Sequence, residues 1–139
     1  LAMAIIKGHD KGTFGIDEIL TWAETVSMME KARKASGTSL GLVPELGDKP
    51  DAFVNRGRFA KALCDTFGFS DPKAFPKVKG KGSFFASSKH PNAPAVDALS
   101  PLGILDLYKS EREFHFGRTL TRGEAAEMIM KAMTAAKLP

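Results

Sequence analysis

Two related stretches decide the fold of this 139-residue chain, GTFGIDEILTWAETVSMMEKA at residues 12–32 and REFHFGRTLTRGEAAEMIMKA at residues 112–132. Both segments contain a phenylalanine, then a Leu-Thr pair, and then a glutamate three residues after the threonine. Thr-x-x-Glu is a capping box, in which the threonine hydroxyl accepts from an early backbone N–H and the glutamate binds back to the cap residue. Because the apolar residues that follow recur with helical period, each segment predicts an amphipathic helix.

A third and fainter copy, VNRGRFAKALCDTFG, occupies residues 54–68. Asn55 stands at the helix-cap position, and three large apolar residues follow on one helical face. Gly68 supplies a helix stop after them. The chain is therefore expected to contain three related long helices.

The residue that follows the helix cap differs among the three copies. Arg56 and Arg122 occupy this position in the second and third copies, whereas Trp22 occupies it in the first. Arg58 replaces the capping-box glutamate of the second copy. An arginine beside the positive end of a helix dipole is mildly unfavourable, which favours a second use for Arg56 and Arg122.

The segments between the long helices predict loops and one short helix. Residues 36–50 are rich in glycine, proline and serine and show no periodicity, so they are expected to form a connector. Residues 70–94 carry four prolines and two glycines, which exclude a long helix there. A short helix fits Ala95–Leu105, with Gly103 near its end. No stretch has sustained strand period, and the fold class is expected to be all-α with long loops.

The composition indicates one folded domain over residues 1–139, with repeat elements at roughly 1–36, 51–69 and 74–137. Hydrophobic residues make up 43% and charged residues 26% of the chain, which is ordinary for a globular protein. No apolar run approaches the ~20 residues of a membrane span. The one cysteine, Cys64, lies in an apolar pattern and is expected to be a buried core thiol rather than a nucleophile.

The chain carries a net charge of +4, and the positive charge is unevenly distributed. Five lysines and no acid lie between Asp71 and Asp97. This stretch is either a solvated loop or a surface that attracts anions. Nucleic acid is a poor fit as a partner, because the basic residues do not follow one helix face and no nucleic-acid-binding motif accompanies them.

Together these segments resemble the S-layer homology (SLH) family. The resemblance rests on a Phe-x-x-Val opening, a short helix that ends in Gly-Ile, a turn with Tyr and Phe, and a Leu-Thr-Arg-x-Glu helix start. The matching residues are Phe75 and Val78, then His90, Val96, Leu99, Gly103 and Ile104, then Tyr108 and Phe114, and finally Leu120–Glu124. Gly8–Glu24 matches the turn and the helix start of the same repeat.

The resemblance implies a pseudo-threefold bundle of three long helices, with short helices and loops outside. It also implies an extracellular module of the cell wall or cell surface, whose grooves between repeats bind acidic, often pyruvylated, polysaccharide. In such a groove an arginine binds a carboxylate, a helix N-terminus favours the anion, and an aromatic ring covers the sugar. The ligand-binding residues suggested in this way are Arg56, Arg122, Trp22, Asp10, Lys11 and His90.

Other interpretations of the same residues stay open. Arg56 and Arg122 could be solvent-exposed residues without a special partner, and Trp22 could be a core or interface aromatic. The pair Phe84-Phe85 could anchor its loop or form an adhesive patch. The chain could also be a self-assembling subunit of a surface layer or filament, a homo-oligomer that binds no glycan.

Catalysis is not expected from this sequence. It offers no nucleophile–base pair and no phosphate-binding loop. The three histidines lie in separate segments, so neither a metal site nor a cofactor is expected.

Overall fold

A computed structural model describes residues 15–38, 41–71 and 90–137 of the chain. Four α-helices and two 3-10 turns lie in these ranges, and no strand does. The helices are α1 (Trp22–Ser36), α2 (Arg56–Phe67), α3 (Ala93–Leu99) and α4 (Arg122–Lys137), and the 3-10 turns are Ser100–Leu102 and Asp106–Tyr108. The predicted all-α fold class is confirmed. Asp10, Lys11, Phe75, Val78 and the Phe84-Phe85 pair lie outside the described residues.

Both predicted capping boxes are present. The Thr21 hydroxyl accepts from the Glu24 N–H at 3.3 Å, and the Glu24 carboxylate accepts from the Thr21 N–H at 3.0 Å. The same pair of bonds joins Thr121 and Glu124, at 3.1 and 2.9 Å. Each box satisfies two backbone donors that the first turn of its helix leaves without an intrahelical partner.

The second long helix also begins and ends as predicted. The Asn55 side-chain oxygen accepts from the Arg58 N–H at 2.8 Å. Gly68 ends the helix with φ 71°, in the left-handed region that glycine enters without a steric penalty.

The short helix differs from its prediction at both ends. It begins at Ala93, because Pro94 fits the first turn, where a missing N–H costs nothing. It becomes a 3-10 turn at Ser100, since Pro101 has no N–H to continue the α-helical ladder. Gly103 then ends the turn with φ 77°, close to the predicted stop.

The three long-helix starts meet in a small backbone ring. The Leu20 N–H donates to the Leu120 carbonyl at 2.9 Å, and the Val54 N–H donates to the Leu20 carbonyl at 3.0 Å. Isolated antiparallel bridges surround these bonds, between Ile19 and Thr121, Thr21 and Phe53, and Asn55 and Thr119. Leu20, Val54 and Leu120 have 0% of their surface exposed, so the ring closes over one end of the core.

A second set of hydrogen bonds repeats around the ring with the same offsets. We call Leu20, Val54 and Leu120 the ring centres. The residue two positions after each ring centre donates its N–H to the carbonyl of the residue two positions before the next ring centre. These bonds are Trp22 to Ala52 at 2.8 Å, Arg56 to Arg118 at 2.8 Å, and Arg122 to Glu18 at 2.9 Å. They satisfy the first N–H of each long helix. The backbone hydrogen bonds around the ring therefore have a pseudo-threefold arrangement.

The long helices pack against one another around a single core, and α3 packs on α2. Phe59 and Leu63 of α2 and Met128 and Ile129 of α4 are almost completely buried. Cys64 lies in this core, with its sulfur 3.0 Å from the Ser70 hydroxyl. Burial raises the pKa of the Cys64 thiol, and the predicted buried thiol is confirmed.

The connector before α2 has no helix in residues 41–50, as predicted. It is nevertheless fixed to the bundle by its backbone. The Leu42 N–H donates to the Asp65 carbonyl at 2.8 Å, and an Arg33 guanidinium N–H donates to the Gly41 carbonyl at 3.0 Å. Gly41 has φ +72° and lies so close to the Asp65 carbonyl that a side chain has no room there.

Candidate functional site

The ring creates three equivalent junctions, each where one helix start packs against the segment that precedes the next helix. At each junction, the residue that follows the helix cap comes from one of the three sequence copies. We number the junctions first, second and third after that copy. These residues are Trp22, Arg56 and Arg122, respectively. All three side chains are buried, with 4, 6 and 6% of their surface exposed. The alternative of solvent-exposed arginines without a partner is therefore wrong.

Arg56 fills the second junction. One of its terminal nitrogens, Nη1, donates to Glu111 Oε2 at 2.7 Å and to the Phe114 carbonyl at 3.2 Å. The guanidinium carbon lies 3.7 Å from the centre of the Tyr108 ring, within cation–π range. The guanidinium is therefore fixed by a carboxylate, a carbonyl and an aromatic face.

Glu111 is shared between two arginines. Its second oxygen accepts from Arg118 Nη1 at 3.0 Å. The side chain of Arg118 is 55% exposed, whereas that of Glu111 is 25% exposed. The second junction therefore extends from a buried guanidinium through one carboxylate to a cation at the surface.

Tyr108 closes the inner wall of the second junction. It is 3% exposed, and its hydroxyl faces the Glu124 carboxylate without reaching hydrogen-bond geometry within the described part of the chain. Burial, followed by the nearby negative charge of Glu124, raises the pKa of Tyr108 well above its ordinary value. A buried polar atom without a partner is unusual in a folded protein.

Arg122 fills the third junction and lies between two acids of the first copy. Its Nε is 3.3 Å from Glu24 Oε2, and its Nη1 is 3.9 Å from Glu18 Oε2. Glu24 therefore has two roles, because its other oxygen completes the capping box of α1. Glu18 is 58% exposed and places a negative charge at the surface of this junction.

The first junction has the reverse arrangement of charge. Trp22 takes the arginine position, and its indole N–H donates to the Glu45 carbonyl at 3.0 Å. Arg58, at the helix position that Glu24 holds in α1, places its guanidinium 3.6 Å from the centre of the Trp22 ring. Trp22 and Arg58, two departures from the repeat pattern that are far apart in the sequence, therefore form one contact. In this contact the cation lies on the side of the junction where the third junction has a glutamate.

His90 lies near the second junction. Its ring stacks on that of Phe116, with centroids 3.9 Å apart and an interplanar angle of 14°. Its Nδ1 accepts from the Asn92 N–H at 3.0 Å. Phe116 in turn approaches Gly57, the residue after Arg56. Of the six candidate residues, the structure thus brings Arg56 and His90 to one side of the bundle, and places Arg122 and Trp22 at the other two junctions.

An open cleft of about 650 Å³ lies between the connector and the last turn of α2. Its charged lining residues are Glu45 and Asp65, and neither lysine nor arginine lines it among the described residues. The cleft is therefore poorly suited to an acidic ligand, whereas the second and third junctions each contain a guanidinium.

Residues 15–38, 41–71 and 90–137 contain no group of three or more His, Cys, Asp or Glu side chains arranged to hold a metal ion. Within those ranges no helix has both the length and the apolar character needed to cross a bilayer. A comparison of the chain with known protein families finds no matching family model, and a comparison with curated proteins finds no similar sequence.

Proposed function

We propose that this chain is a non-catalytic, extracellular module of the SLH type, which anchors to acidic cell-wall polysaccharide. One observation supports the proposal most strongly. Arg56 and Arg122 occupy equivalent positions of a pseudo-threefold ring, and each lies at the junction of two repeats beside a helix N-terminus. The resemblance of the sequence to SLH repeats supplies the class of ligand.

The chemistry of the two junctions suits a carboxylate. A guanidinium donates through a planar fork, which matches the two oxygens of a carboxylate. The junctions already hold internal carboxylates, from Glu111 at Arg56 and from Glu24 at Arg122. A pyruvyl ketal on a sugar presents the same group, and the exposed Arg118 adds a cation at the rim of the second junction.

The proposal is tested by co-sedimentation with purified cell-wall sacculi, before and after removal of pyruvyl groups. We expect the chain to sediment with untreated sacculi and to lose that binding after the treatment. Arg56→Lys and Arg122→Lys keep the charge but lose the fork, and each is expected to weaken binding about 10-fold, the change produced by about 1.4 kcal/mol. Arg112→Lys, at an exposed arginine, is the matched control and is expected to bind like the parent. Equal sedimentation of treated and untreated sacculi would contradict the proposal.

A second candidate function is self-assembly, as a structural subunit of a surface layer or filament. It is favoured by apolar side chains that flank the ring and remain exposed. Ile16, Ile19 and Phe53 have 55, 37 and 65% of their surface exposed. Ile19 and Phe53 also occupy equivalent positions, one residue before a ring centre. Exposed apolar residues gathered at one end of a bundle are typical of an interaction surface.

Sedimentation velocity across a wide range of protein concentration tests this second function. Self-assembly predicts that the mass increases with concentration and that Phe53→Ser returns the chain to a monomer. Leu42→Ser is the matched control, because Leu42 is 77% exposed but lies in the connector. A monomer at every concentration would rule out this candidate.

A further inference from the structure

The second junction is built like an anion-binding site whose occupant is part of the chain itself. Arg56 is held on two sides without any contribution from Glu111. The Phe114 carbonyl accepts from its Nη1, and the Tyr108 ring covers one face of the guanidinium. Its Nε is buried and has no hydrogen-bond partner among the described residues. If the Glu111 carboxylate were withdrawn, the guanidinium would stay in position with donors available.

Glu111 itself lies on a segment that can be displaced at small cost. It belongs to the turn after the second 3-10 element, in which Lys109, Ser110, Arg112 and Glu113 are all exposed. Glu111 is the residue of that turn whose side chain reaches inward to Arg56. Withdrawal of the turn would therefore expose polar atoms to water and uncover little apolar surface.

We propose that Arg56, Arg118 and Tyr108 form a carboxylate-binding site that Glu111 occupies and thereby closes. An external carboxylate must compete with Glu111 for the two guanidinium groups. The second junction is then a self-blocked site, and it binds a ligand only when Glu111 has moved away. The nature of the ligand, a sugar-borne carboxylate such as a pyruvyl ketal, rests on the proposed function.

Glu111 and Glu124 differ in how their side chains are connected to the helix starts. The Glu124 carboxylate already accepts from the Thr121 N–H at 2.9 Å, which ties it to the start of α4. Glu111 has no such commitment through its side chain, since both of its oxygens go to the arginines. Removal of the Glu111 charge is therefore expected to open the site without disturbing a helix start.

The test compares Glu111→Gln with Glu113→Gln, which makes the same charge change at an exposed acid two residues away. The probe is the 4,6-pyruvyl ketal of a methyl hexopyranoside, which carries a single carboxylate, and binding is measured by calorimetry. We expect Glu111→Gln to bind the probe at least about tenfold more tightly than the parent chain, since a hydrogen bond to a charged group is being released. Glu113→Gln is expected to match the parent.

Equal affinity of Glu111→Gln and Glu113→Gln would overturn the inference. If Glu111→Gln does not fold, Glu111→Asp decides instead, because it keeps the charge but shortens the side chain by one methylene. Tighter binding by that variant supports the closed site, and unchanged binding refutes it.

The outcome separates this inference from the proposed function. Sedimentation of the parent chain with sacculi tests the function, and the Glu111 comparison tests the closed site. If the parent chain does not bind the polysaccharide while Glu111→Gln binds the probe, the closed site is supported and the proposed function of the parent chain is refuted. If the parent binds the polysaccharide while the two glutamine variants are equal, the function stands and the closed site fails.

Discussion

Exchange of the charge arrangement at the first junction should convert it into a copy of the third. The double substitution Trp22→Arg with Arg58→Glu places an arginine after the cap and a glutamate at the capping-box position. That is the arrangement in which Arg122 Nε lies 3.3 Å from Glu24 Oε2. Because the backbone bonds around the ring have equal offsets at the three junctions, the new pair should meet in the same way.

The single substitutions are expected to have very different effects. Arg58→Glu loses a partly exposed cation–π contact of about 0.5–1 kcal/mol. It gains a first-turn acid of about 0.3–1 kcal/mol, so its net effect should be close to zero. Trp22→Arg removes an aromatic side chain that is 4% exposed and places its charge beside Arg58. It should lower the free energy of unfolding by about 3–5 kcal/mol, the range for large core truncations.

The double variant should recover part of this loss, with a coupling free energy of about 1–3 kcal/mol, as found for residues in contact. Urea unfolding followed by far-ultraviolet circular dichroism measures it, since Trp22 is the one tryptophan and its fluorescence is lost. The control cycle pairs Trp22→Arg with Arg112→Glu, at an arginine outside the first junction, and should be additive. A first-junction coupling below about 0.5 kcal/mol would refute the equivalence of the junctions.

Four further predictions concern stability, and each is checked by urea unfolding. Gly41→Ala and Gly47→Ala should each lower the free energy of unfolding by about 1–2 kcal/mol, because both glycines have a left-handed backbone. Gly41→Ala should cost about 1–3 kcal/mol more, because a Cβ at Gly41 meets the Asp65 carbonyl whereas a Cβ at Gly47 meets open space. Equal losses for the two variants would contradict this packing. Thr121→Ala should cost about 1 kcal/mol through loss of the capping box, and an unchanged stability would argue against that bond. Leu120→Ala should cost about 2–5 kcal/mol, because the side chain is 0% exposed at the ring centre; a loss below about 1 kcal/mol would mean that the ring is not a packed core. Burial raises the Tyr108 pKa in the folded chain, so the unfolded chain releases the tyrosine proton first and the free energy of unfolding should fall as the pH rises past about 10. Tyr108→Phe should lack this part of the pH dependence. The tyrosinate absorbance of the one tyrosine should appear only together with unfolding.

The helices and their ends could be predicted because each is decided by neighbours in the sequence. A capping box spans four residues, and the glycine stop at Gly68 depends on one left-handed residue. The predicted short helix begins too late and extends too far, because its bounds depend on the two prolines Pro94 and Pro101. One proline is favourable in a first turn and the other ends the α-helical ladder.

The candidate site could be predicted only in part, because its contacts join distant segments. The repeat alignment identifies Arg56 as a candidate, but its partner Glu111 lies 55 residues away along the chain. Glu111 belongs to a turn that the alignment matches only through Tyr108 and Phe114. In the sequence, Trp22 and Arg58 are two separate departures from the repeat pattern. Only the ring geometry shows that they face each other, since position 22 of one copy meets position 58 of the next.

We propose that the junction arginines bind an acidic polysaccharide, and one calorimetric titration tests this proposal most directly. The chain is titrated with purified wall polysaccharide, and then with the same polysaccharide after mild acid has removed its pyruvyl ketals. We predict saturable binding to the first sample, with an affinity that falls as salt increases, and at least about tenfold weaker binding to the second. Equal affinity for both samples, or no binding to either at low salt, would contradict the account.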